Sequence, residues 1–336
     1  MTRKKIPKRD KIRGICAVAC LAVVLVGICA ASIYMERQRT APQQTVHATE
    51  SPVVETAVDT ADYERNPNTK AYLFLGIDKD DPVRAHPGDG GQADTQLLLV
   101  VDSSAQTWRL LPINRDTLTD VNVLGVLGDV LSTQRQQIAL AHAYGDGLRK
   151  SCRNAVTAVS HLLGDCKIEG YYALNMGGIS ALVDSIGGIT VTVPHDYTNL
   201  DPAFVEGAQL NLDGKQAYKL LRSRHGVDDQ TNIARMARQN AVLEAATQKL
   251  ASLSNDDLLI AFSTVSDYAV TDMGSAEILK LKDLMGQYQQ LPSLQIEGEA
   301  FLQGEYMAFE PDANSLQDVI LQLFYIKKEM WFAINT

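Results

Sequence analysis

Cysteine is scarce in this chain of 336 residues, which contains five, and three of these fall within its first thirty positions. The remaining two are Cys152 and Cys166, and the helical pattern between them would hold them more than about 15 Å apart. Because a disulfide requires Cα atoms within about 7 Å of each other, we expect two free thiols. The six histidines are scattered without the spacing of zinc ligands, so a Cys/His metal centre is not expected.

Basic charge is also limited, since 31 Lys and Arg face 40 Asp and Glu. Seven of the basic residues, against the single acid Asp10, lie within residues 1–34. The rest of the chain therefore has 24 basic (31 less 7) and 39 acidic (40 less 1) residues, a net charge of −15. Nucleic-acid binding requires a broad basic surface, so we predict no nucleic-acid partner. An anionic ligand would have to meet a local arginine cluster or a metal ion.

Long hydrophobic runs are rare as well, and residues 14–34 form the informative one. At about 1.5 Å per helical residue this uncharged stretch covers the roughly 30 Å core of a bilayer. Its basic flank predicts a cytoplasmic amino terminus and an extracellular remainder. We predict a cytoplasmic basic tail over 1–13, a transmembrane anchor over 14–34 and a stalk over 35–67, rich in Thr, Ala, Gln and Pro. A cleaved signal peptide is the alternative, although its apolar region is usually shorter, about 7–15 residues.

From residue 68 onward, apolar strand patterns alternate with helical ones, which predicts an α/β fold with a mixed central sheet sandwiched by helices. The predicted strands are 71–77, 96–101, 108–113, 171–174 and 189–193. The predicted helices are 134–144, 147–163, 179–186, 213–221 and 232–250. We assign 68–251 to one catalytic domain. Residues 252–336 form an extension packed on it, with helices over 272–289 and 315–332 and a hairpin around 297–309.

Arginines are concentrated between residues 222 and 239 of this otherwise acidic domain. Four residues on the predicted helix have the spacing i, i+3, i+6 and i+7 and so share one face: Asn232, Arg235, Arg238 and Gln239. Arg222 and Arg224 arrive just before this helix. Arginine is suited to two-pronged contact with phosphate, so the cluster fits a pyrophosphate. A salt-bridged helix surface is the alternative.

Carboxylates occur at the ends of the predicted strands. Asp78 closes the first strand and Asp94 opens the next, on either side of a long polar loop. Two such carboxylates suit Mg²⁺, which takes one or two together with substrate phosphates; ordinary turn aspartates are the alternative. Arg115 and Asp116 follow the third strand, where site residues of open sheets gather. A structural ion pair holding the turn is equally consistent with their spacing.

Taken in order, seven short blocks resemble the LytR-CpsA-Psr family over about residues 70–250. These are Gly-Ile-Asp (76–78), Asp-Thr (94–95), Asn-Arg-Asp-Thr (114–117), Ala-Tyr-Gly-Asp-Gly (143–147), Gly-Gly-Ile-Thr-Val-Thr-Val-Pro (187–194), Leu-Asp-Gly (212–214), and Arg-Ser-Arg (222–224) followed by Arg-Met-Ala-Arg-Gln (235–239). A single amino-terminal anchor followed by a stalk also fits that family.

The resemblance implies an enzyme of the cell envelope. Family members transfer a glycan phosphate, as in teichoic acid or capsule, from undecaprenyl pyrophosphate to a peptidoglycan sugar hydroxyl, releasing undecaprenyl phosphate. By this analogy Asp78, Asp94 and Arg115 are catalytic, and Asp78 and Asp94 bind Mg²⁺. The residues that would contact pyrophosphate are Arg115, Arg222, Arg224, Asn232, Arg235, Arg238 and Gln239. A polyprenyl-pyrophosphate hydrolase, or a non-catalytic envelope regulator that binds such lipids, is the alternative.

Three positions depart from the family pattern. Gln92-Ala93 stands where Arg-Ser is common, which removes one phosphate donor. Asn114 replaces the usual proline before Arg115, a change that we expect to be mild. Asn232 occupies a position that is often aspartate, while Asp228 and Asp229 lie just upstream.

Overall fold

The computed structural model describes residues 62–222, 253–304 and 306–328, together with Val242, Ala245 and Lys249. The predicted basic tail, the anchor and residues 35–61 of the predicted stalk lie outside these residues, as does nearly all of the predicted helix 232–250. The end predicted for the stalk, residue 67, is too late, because Tyr63–Arg65 is a strand paired with Tyr325–Lys327. Within the described part of the chain, no helix has the length and apolar character needed to cross a membrane.

Strands and helices alternate along the chain. The described strands are β1 (Tyr63–Arg65), β2 (Thr69–Ile77), β3 (Ala93–Asp102), β4 (Thr107–Ile113), β5 (Leu118–Leu124), β6 (Val130–Gln137), β7 (Ile168–Asn175), β8 (Ile189–Thr192), β9 (Gln209–Leu212), β10 (Ala269–Thr271), β11 (Gln289–Gln290), β12 (Gly298–Gln303), β13 (Tyr306–Pro311) and β14 (Tyr325–Lys327). The described helices are α1 (Leu140–Ala143), α2 (Arg149–Leu162), α3 (Gly178–Ser185), α4 (Gly214–Arg222), α5 (Asn255–Thr264), α6 (Ser275–Gln287) and α7 (Ala313–Phe324), with a 3₁₀ turn at Ser266–Tyr268.

A six-stranded sheet in the order β10-β7-β2-β3-β4-β11 forms the centre of the domain. Strand β2 runs antiparallel to β3 and parallel to β7, and β3 runs antiparallel to β4. The apolar runs predicted as strands at 71–77, 96–101, 108–113 and 171–174 are all confirmed. The sheet is therefore mixed, as the sequence predicted.

Both faces of this sheet are covered, because successive residues of a strand point to opposite sides. Leu73 and Leu75 of β2 belong to a core shared with α2 and α7. Tyr72 and Phe74 belong to a second core shared with α6. A third cluster joins α3, β8, α4 and α5. Strands buried on both faces read as continuous apolar runs, which is why the sequence revealed them.

The carboxy-terminal residues take part in the same sheet and core. Strand β10 pairs with β7, and β11 pairs with β4. Helix α7 contributes Leu316, Ile320 and Leu323 to the core beneath β2 and β3.

Two predicted helices are wrong in extent. Residues 134–137 belong to strand β6, and only Leu140–Ala143 is helical in the predicted segment 134–144. Most of β6 is exposed and pairs with β5 in a separate hairpin, so no burial period marks it as a strand. The helix predicted over 315–332 ends at Phe324, because Tyr325–Lys327 pairs with β1. The two thiols are free, as expected, and both are buried.

If α7 belongs to the same cooperative unit as the sheet, Ile320→Ala should lower the free energy of unfolding by about 2–5 kcal/mol, since it leaves a cavity in the core. Ile320 is 1% exposed. Asp318→Ala on the exposed side of the helix is the matched control and should change the value by less than about 0.5 kcal/mol. Denaturant unfolding measures the free energy of unfolding of both variants, and we expect a single transition in each. A separate early transition for the carboxy-terminal segment would contradict the prediction.

Candidate active site

The site begins where β2 ends, at Asp78. The Asp78 N–H donates to the Gln92 carbonyl at 3.1 Å, and the Gln92 N–H donates to Asp78 Oδ1 at 2.6 Å. These reciprocal bonds join two residues 14 positions apart. The long polar loop therefore starts and finishes at one point, beside the first residues of β3.

Backbone carbonyls of the segment 143–147 hold the far side of this loop. Gly90 N donates to Ala143 O at 3.1 Å, Gly88 N to Gly145 O at 3.0 Å, and His86 N to Asp146 O at 2.9 Å. The block Ala-Tyr-Gly-Asp-Gly thus has a structural function. It fixes the loop that positions Asp78 and Gln92.

The buried side chain of His142 contacts the same loop. Its Nδ1 lies 3.0 Å from the Gly91 carbonyl, and its Nε2 lies 3.7 Å from the Cys152 sulfur. A carbonyl only accepts, so Nδ1 carries the proton. Burial lowers the pKa of His142 and raises the pKa of the Cys152 thiol. The pair is therefore a neutral imidazole beside a protonated thiol, which is a packing contact and not a nucleophilic dyad.

Arg115 links the loop to β3. Its Nη1 donates to Asp94 Oδ1 and its Nη2 donates to Gln92 Oε1. Its Nε lies 3.5 Å from Asp116 Oδ1, an ion-pair distance. The Arg115 side chain is 24% exposed and that of Asp94 is 31% exposed. Asp78, Gln92, Arg115 and Asp94 thus form one hydrogen-bonded chain that remains accessible to a ligand.

The turn after β4 presents Arg115. Asn114 Oδ1 accepts the Asp116 N–H at 2.9 Å, and Asn114 O accepts the Thr117 N–H at 3.0 Å. This turn suits asparagine, whose side chain bonds its own backbone two residues on. The replacement of the usual proline by Asn114 therefore has a structural explanation.

Two residues that support the site escaped the sequence analysis. Gln137 Nε2 donates to Asp116 Oδ1 at 3.1 Å and also to the Met307 carbonyl. The Phe309 N–H donates to the Asp116 carbonyl at 2.9 Å. Strand β13 thereby braces the turn, a contact between distant parts of the chain that no local pattern could have shown.

Helix α4 approaches the same loop. The Tyr218 hydroxyl donates to Asp80 Oδ1 at 2.5 Å. Tyr218 lies four positions before the last residue of α4, so this bond brings the end of the helix towards the loop. The α4 backbone includes Arg222, but its side chain lies outside the described residues. The other predicted phosphate contacts lie there too: Arg224, Asn232, Arg235, Arg238 and Gln239.

The described residues of the site have a negative charge balance. Asp78, Asp94 and Asp116 carry three formal negative charges and Arg115 one positive charge, a net of −2. Within the described part of the chain, no group of three or more His, Cys, Asp or Glu has the arrangement of a metal site. Mg²⁺ requires only one or two carboxylates when phosphates and water complete its shell. Asp78 fits that donor set, because a single N–H engages one of its carboxylate oxygens. Asp94 also fits it, provided that its carboxylate binds the cation and the Arg115 guanidinium at the same time.

Comparison with known proteins gives a consistent picture. The model of the LytR_cpsA_psr family matches residues 31–324. A protein of Enterococcus faecalis named polyisoprenyl-teichoic acid–peptidoglycan teichoic acid transferase TagU is 28% identical over 269 residues, which cover 79% of this chain and 80% of that one. The Bacillus subtilis transferase TagV is 25% identical over 260 residues, covering 74% and 62% of the two chains.

The fold also matches a solved structure. The crystal structure of Bacillus subtilis TagV superposes with a TM-score of 0.55 at 22% identity, over 76% of this chain and 96% of that one. At this level of identity the match concerns the fold, which is the mixed α/β architecture described above.

Gly91 is a critical point of the Asp78 loop, with φ of +77°. A Cβ there would lie 2.9 Å from Ile77 Cγ2 and 3.0 Å from Asp78 Oδ1. We predict that Gly91→Ala destabilises the protein by more than the about 1–2 kcal/mol of left-handed strain alone, and that it lowers activity by displacing Asp78. Gly88→Ala is the matched control, because φ is +76° there and nothing lies within 4 Å of its Cβ. Equal losses of stability and activity in the two variants would contradict this account.

Proposed function

This chain belongs to the LytR-CpsA-Psr family, and we propose that it transfers a glycan phosphate from a polyprenyl-pyrophosphate-linked glycopolymer to a peptidoglycan sugar hydroxyl. The hydrogen-bonded chain Asp78–Gln92–Arg115–Asp94 is the observation that carries the proposal, because it unites a guanidinium and two carboxylates at adjoining strand ends. The relatives TagU and TagV are named as teichoic acid transferases acting on peptidoglycan. Their names support this substrate class.

Phosphoryl transfer depends mainly on positioning and on neutralising charge across the phosphate oxygens. Arg115 has five N–H donors. Asp94 and Gln92 each take one Nη hydrogen, and Nε faces Asp116. Two Nη hydrogens therefore remain for a phosphate oxygen. The protein contacts fix the plane of the guanidinium, so it meets the phosphate without first losing side-chain freedom.

One guanidinium does not offset the charge of a pyrophosphate in a site that is itself net negative. The proposal therefore assigns further phosphate contacts to Arg222, Arg224, Arg235 and Arg238, with hydrogen bonds from Asn232 and Gln239. The bond from Tyr218 to Asp80, which brings the end of α4 to the loop, supports this assignment.

Asp78 and Asp94 are the proposed ligands of Mg²⁺. When bound, Mg²⁺ would supply positive charge between these carboxylates and the donor phosphates. Its two charges would offset the formal balance of −2 at the described site. The pyrophosphate of the donor brings further negative charge, and this excess of negative charge supports a divalent cation at the site.

Asp78 is the proposed acceptor of the hydroxyl proton. The sugar hydroxyl oxygen forms a new bond to the glycan-side phosphorus while the bond from that phosphorus to the bridging oxygen breaks. Polyprenyl phosphate leaves with the bridging oxygen, and the hydroxyl proton passes through Asp78 to solvent. Asp78 is suited to this step because its Oδ1 is fixed by Gln92 N–H at 2.6 Å, which orients the carboxylate.

We also propose a membrane location for the catalytic domain, on the basis of the uncharged run at residues 14–34. The proposal places residues 14–34 in the bilayer as a single-pass anchor, with the amino terminus cytoplasmic and the catalytic domain extracellular. A domain held in this way reaches lipid-linked donors in the outer leaflet and peptidoglycan beyond it.

Replacing Arg115 tests the proposal directly. Arg115→Ala should lower kcat for transfer from the lipid-linked donor to peptidoglycan by about 10²–10³-fold, the usual cost of removing a donor that stabilises developing charge. Arg135→Ala is the matched control: Arg135 is an exposed hairpin arginine paired with Glu310, and its loss should change kcat little. Wild-type rates for Arg115→Ala would refute its assigned role. Release of free glycan phosphate by the unsubstituted protein, without a peptidoglycan ester, would identify a hydrolase instead.

Removing the metal tests the proposed role of Mg²⁺. Chelation by EDTA should abolish transfer, and added Mg²⁺ should restore it. Asp94→Asn should raise the Mg²⁺ concentration needed for half-maximal activity, because it removes one anionic ligand. Asp78→Asn should do the same and should also lower kcat at saturating Mg²⁺, because it removes the proposed proton acceptor. Asp120→Asn, an exposed aspartate of β5, is the control and should leave the Mg²⁺ titration unchanged. Full activity after exhaustive chelation would exclude Mg²⁺ from the reaction.

A further inference from the structure

The hairpin formed by β5 and β6 ends in an exposed aliphatic turn. Val126 and Leu127 are 79% and 84% exposed, and Val130 and Leu131 at the start of β6 are 56% and 65% exposed. Isolated apolar side chains on a surface need no explanation, but a contiguous group marks an interaction site. We refer to these four residues as the hairpin tip.

Backbone hydrogen bonds close the turn at this tip. The Gly125 N–H donates to Asp129 O, and the Gly128 N–H donates to Gly125 O, each at 2.8 Å. Gly128 has φ of +83°, a conformation that glycine adopts readily. The turn is therefore closed by its own hydrogen bonds, and the apolar side chains stay at its apex.

The start of α2 brings one cation, Lys150, to the tip, and the turn itself contains one exposed acid, Asp129. Lys150 Nζ donates to the Leu127 carbonyl at 2.6 Å, and Arg149 and Arg153 on the same helix are exposed. The first turn of α2 contains no acidic residue. Cations at a helix amino terminus oppose the helix dipole, so the dipole does not account for Arg149 and Lys150, and the carboxylate at this end of α2 is Asp146, whose Oδ1 accepts the Leu148 N–H at 2.9 Å. In a domain with a large acidic excess, these cations point to an anionic partner.

We propose that the hairpin tip docks into the surface of a bilayer that contains anionic phospholipids. Val126, Leu127, Val130 and Leu131 enter the boundary between headgroups and acyl chains, and the cations of α2 meet the lipid phosphates. Aliphatic residues bordered by Lys and Arg are typical of interfacial membrane contacts. Protein-binding hot spots are enriched in Trp and Tyr, and the sequence of this hairpin contains neither.

The base of the hairpin lies at the site. The Ala139 N–H donates to the Arg115 carbonyl at 3.1 Å, and the Ile138 N–H donates to the Thr117 carbonyl at 2.8 Å. Seven residues of β5 span about 20 Å at roughly 3.4 Å per residue. The hairpin would thus act as a spacer of about that length between the bilayer surface and Arg115. This consequence rests on the proposed function, whereas the docking itself does not.

The full chain reconstituted in vesicles that contain brominated anionic phospholipid provides the test. Leu127→Trp places a fluorophore at the tip, and Ile260→Trp places one at an equally aliphatic exposed position of α5, 59% exposed. The unsubstituted protein supplies the background of Trp108 and Trp331. We expect the added fluorescence at position 127 to be quenched several-fold more by brominated lipid than that at 260, and to be shifted to shorter wavelength. Val126→Trp should repeat the result.

A charge variant tests the second half of the proposal. Arg149→Gln combined with Arg153→Gln leaves the Lys150 contact with the turn intact. In the Leu127→Trp background it should reduce quenching in anionic vesicles and have little effect in zwitterionic ones. Equal effects in the two kinds of vesicle would contradict a role of these arginines at lipid phosphates.

Two outcomes would overturn membrane docking. One is equal lipid quenching at 127 and 260, with both positions open to aqueous acrylamide. The other is a short-wavelength shift at 127 that depends on protein concentration without vesicles, which would show that a second copy covers the tip. Neither measurement depends on transferase activity. A failed transfer assay with lipid-quenched Trp at 127 would therefore count against the proposed reaction and not against docking.

Discussion

The site depends on the contacts of the Arg115 guanidinium, because they join the turn after β4 to the segment where the long loop enters β3. Asp94 at the start of β3, Gln92 at the end of the long loop and Asp116 in its own turn all face it. A planar group with several fixed donors can do this, whereas a lysine ammonium has no such geometry. Removing the guanidinium would take away the positive charge that faces both Asp94 and Asp116, and it would remove the lateral support of the loop.

Gln92 shows how a departure from a family pattern can be compensated locally. Where arginine is common in the family, the amide of Gln92 accepts a hydrogen bond from Arg115, and its backbone makes both bonds to Asp78. A second arginine at this position would place two guanidiniums side by side, which costs energy unless an anion lies between them. The glutamine instead stabilises Arg115 before any anion is bound. Binding of the donor phosphate would then depend more on the other arginines proposed to contact it.

How far the sequence predicts this structure varies with burial. Strands β2, β3 and β4 were predictable because both of their faces are covered, so that nearly every residue is apolar. The residues Asp78, Asp94 and Arg115 could be named because they lie at the ends of such strands, Asp78 and Arg115 after β2 and β4 and Asp94 at the start of β3. Their pairing through Gln92 could not be predicted, since it depends on the register of β2 against β3 and on a bulge at Gly76/Ile77. The exposed β5–β6 hairpin has no burial period, and the helix predicted over 134–144 wrongly includes the last four residues of β6. The remaining arginines lie outside the described residues, so their place in the site stays a prediction.

The direction of the chain bears on how the domain would meet a membrane. Strand β2 runs from Thr69 to the site at Asp78 and spans about 30 Å, so the predicted stalk joins the domain at the end of the sheet away from the site. A short stalk would hold that end against the bilayer and keep the site distant from its lipid-linked donor. Because β1 begins at Tyr63, only residues 35–61 of the predicted stalk precede the described domain; these 27 residues would reach roughly 90 Å when extended, about three times the length of β2. A tether of that length would leave the domain free to turn over. Under the proposed docking, orientation would come from the surface of the domain itself, where an aliphatic turn in contact with Lys150, on a hairpin whose base bonds to the Arg115 carbonyl, would direct the site end of the sheet towards the lipid.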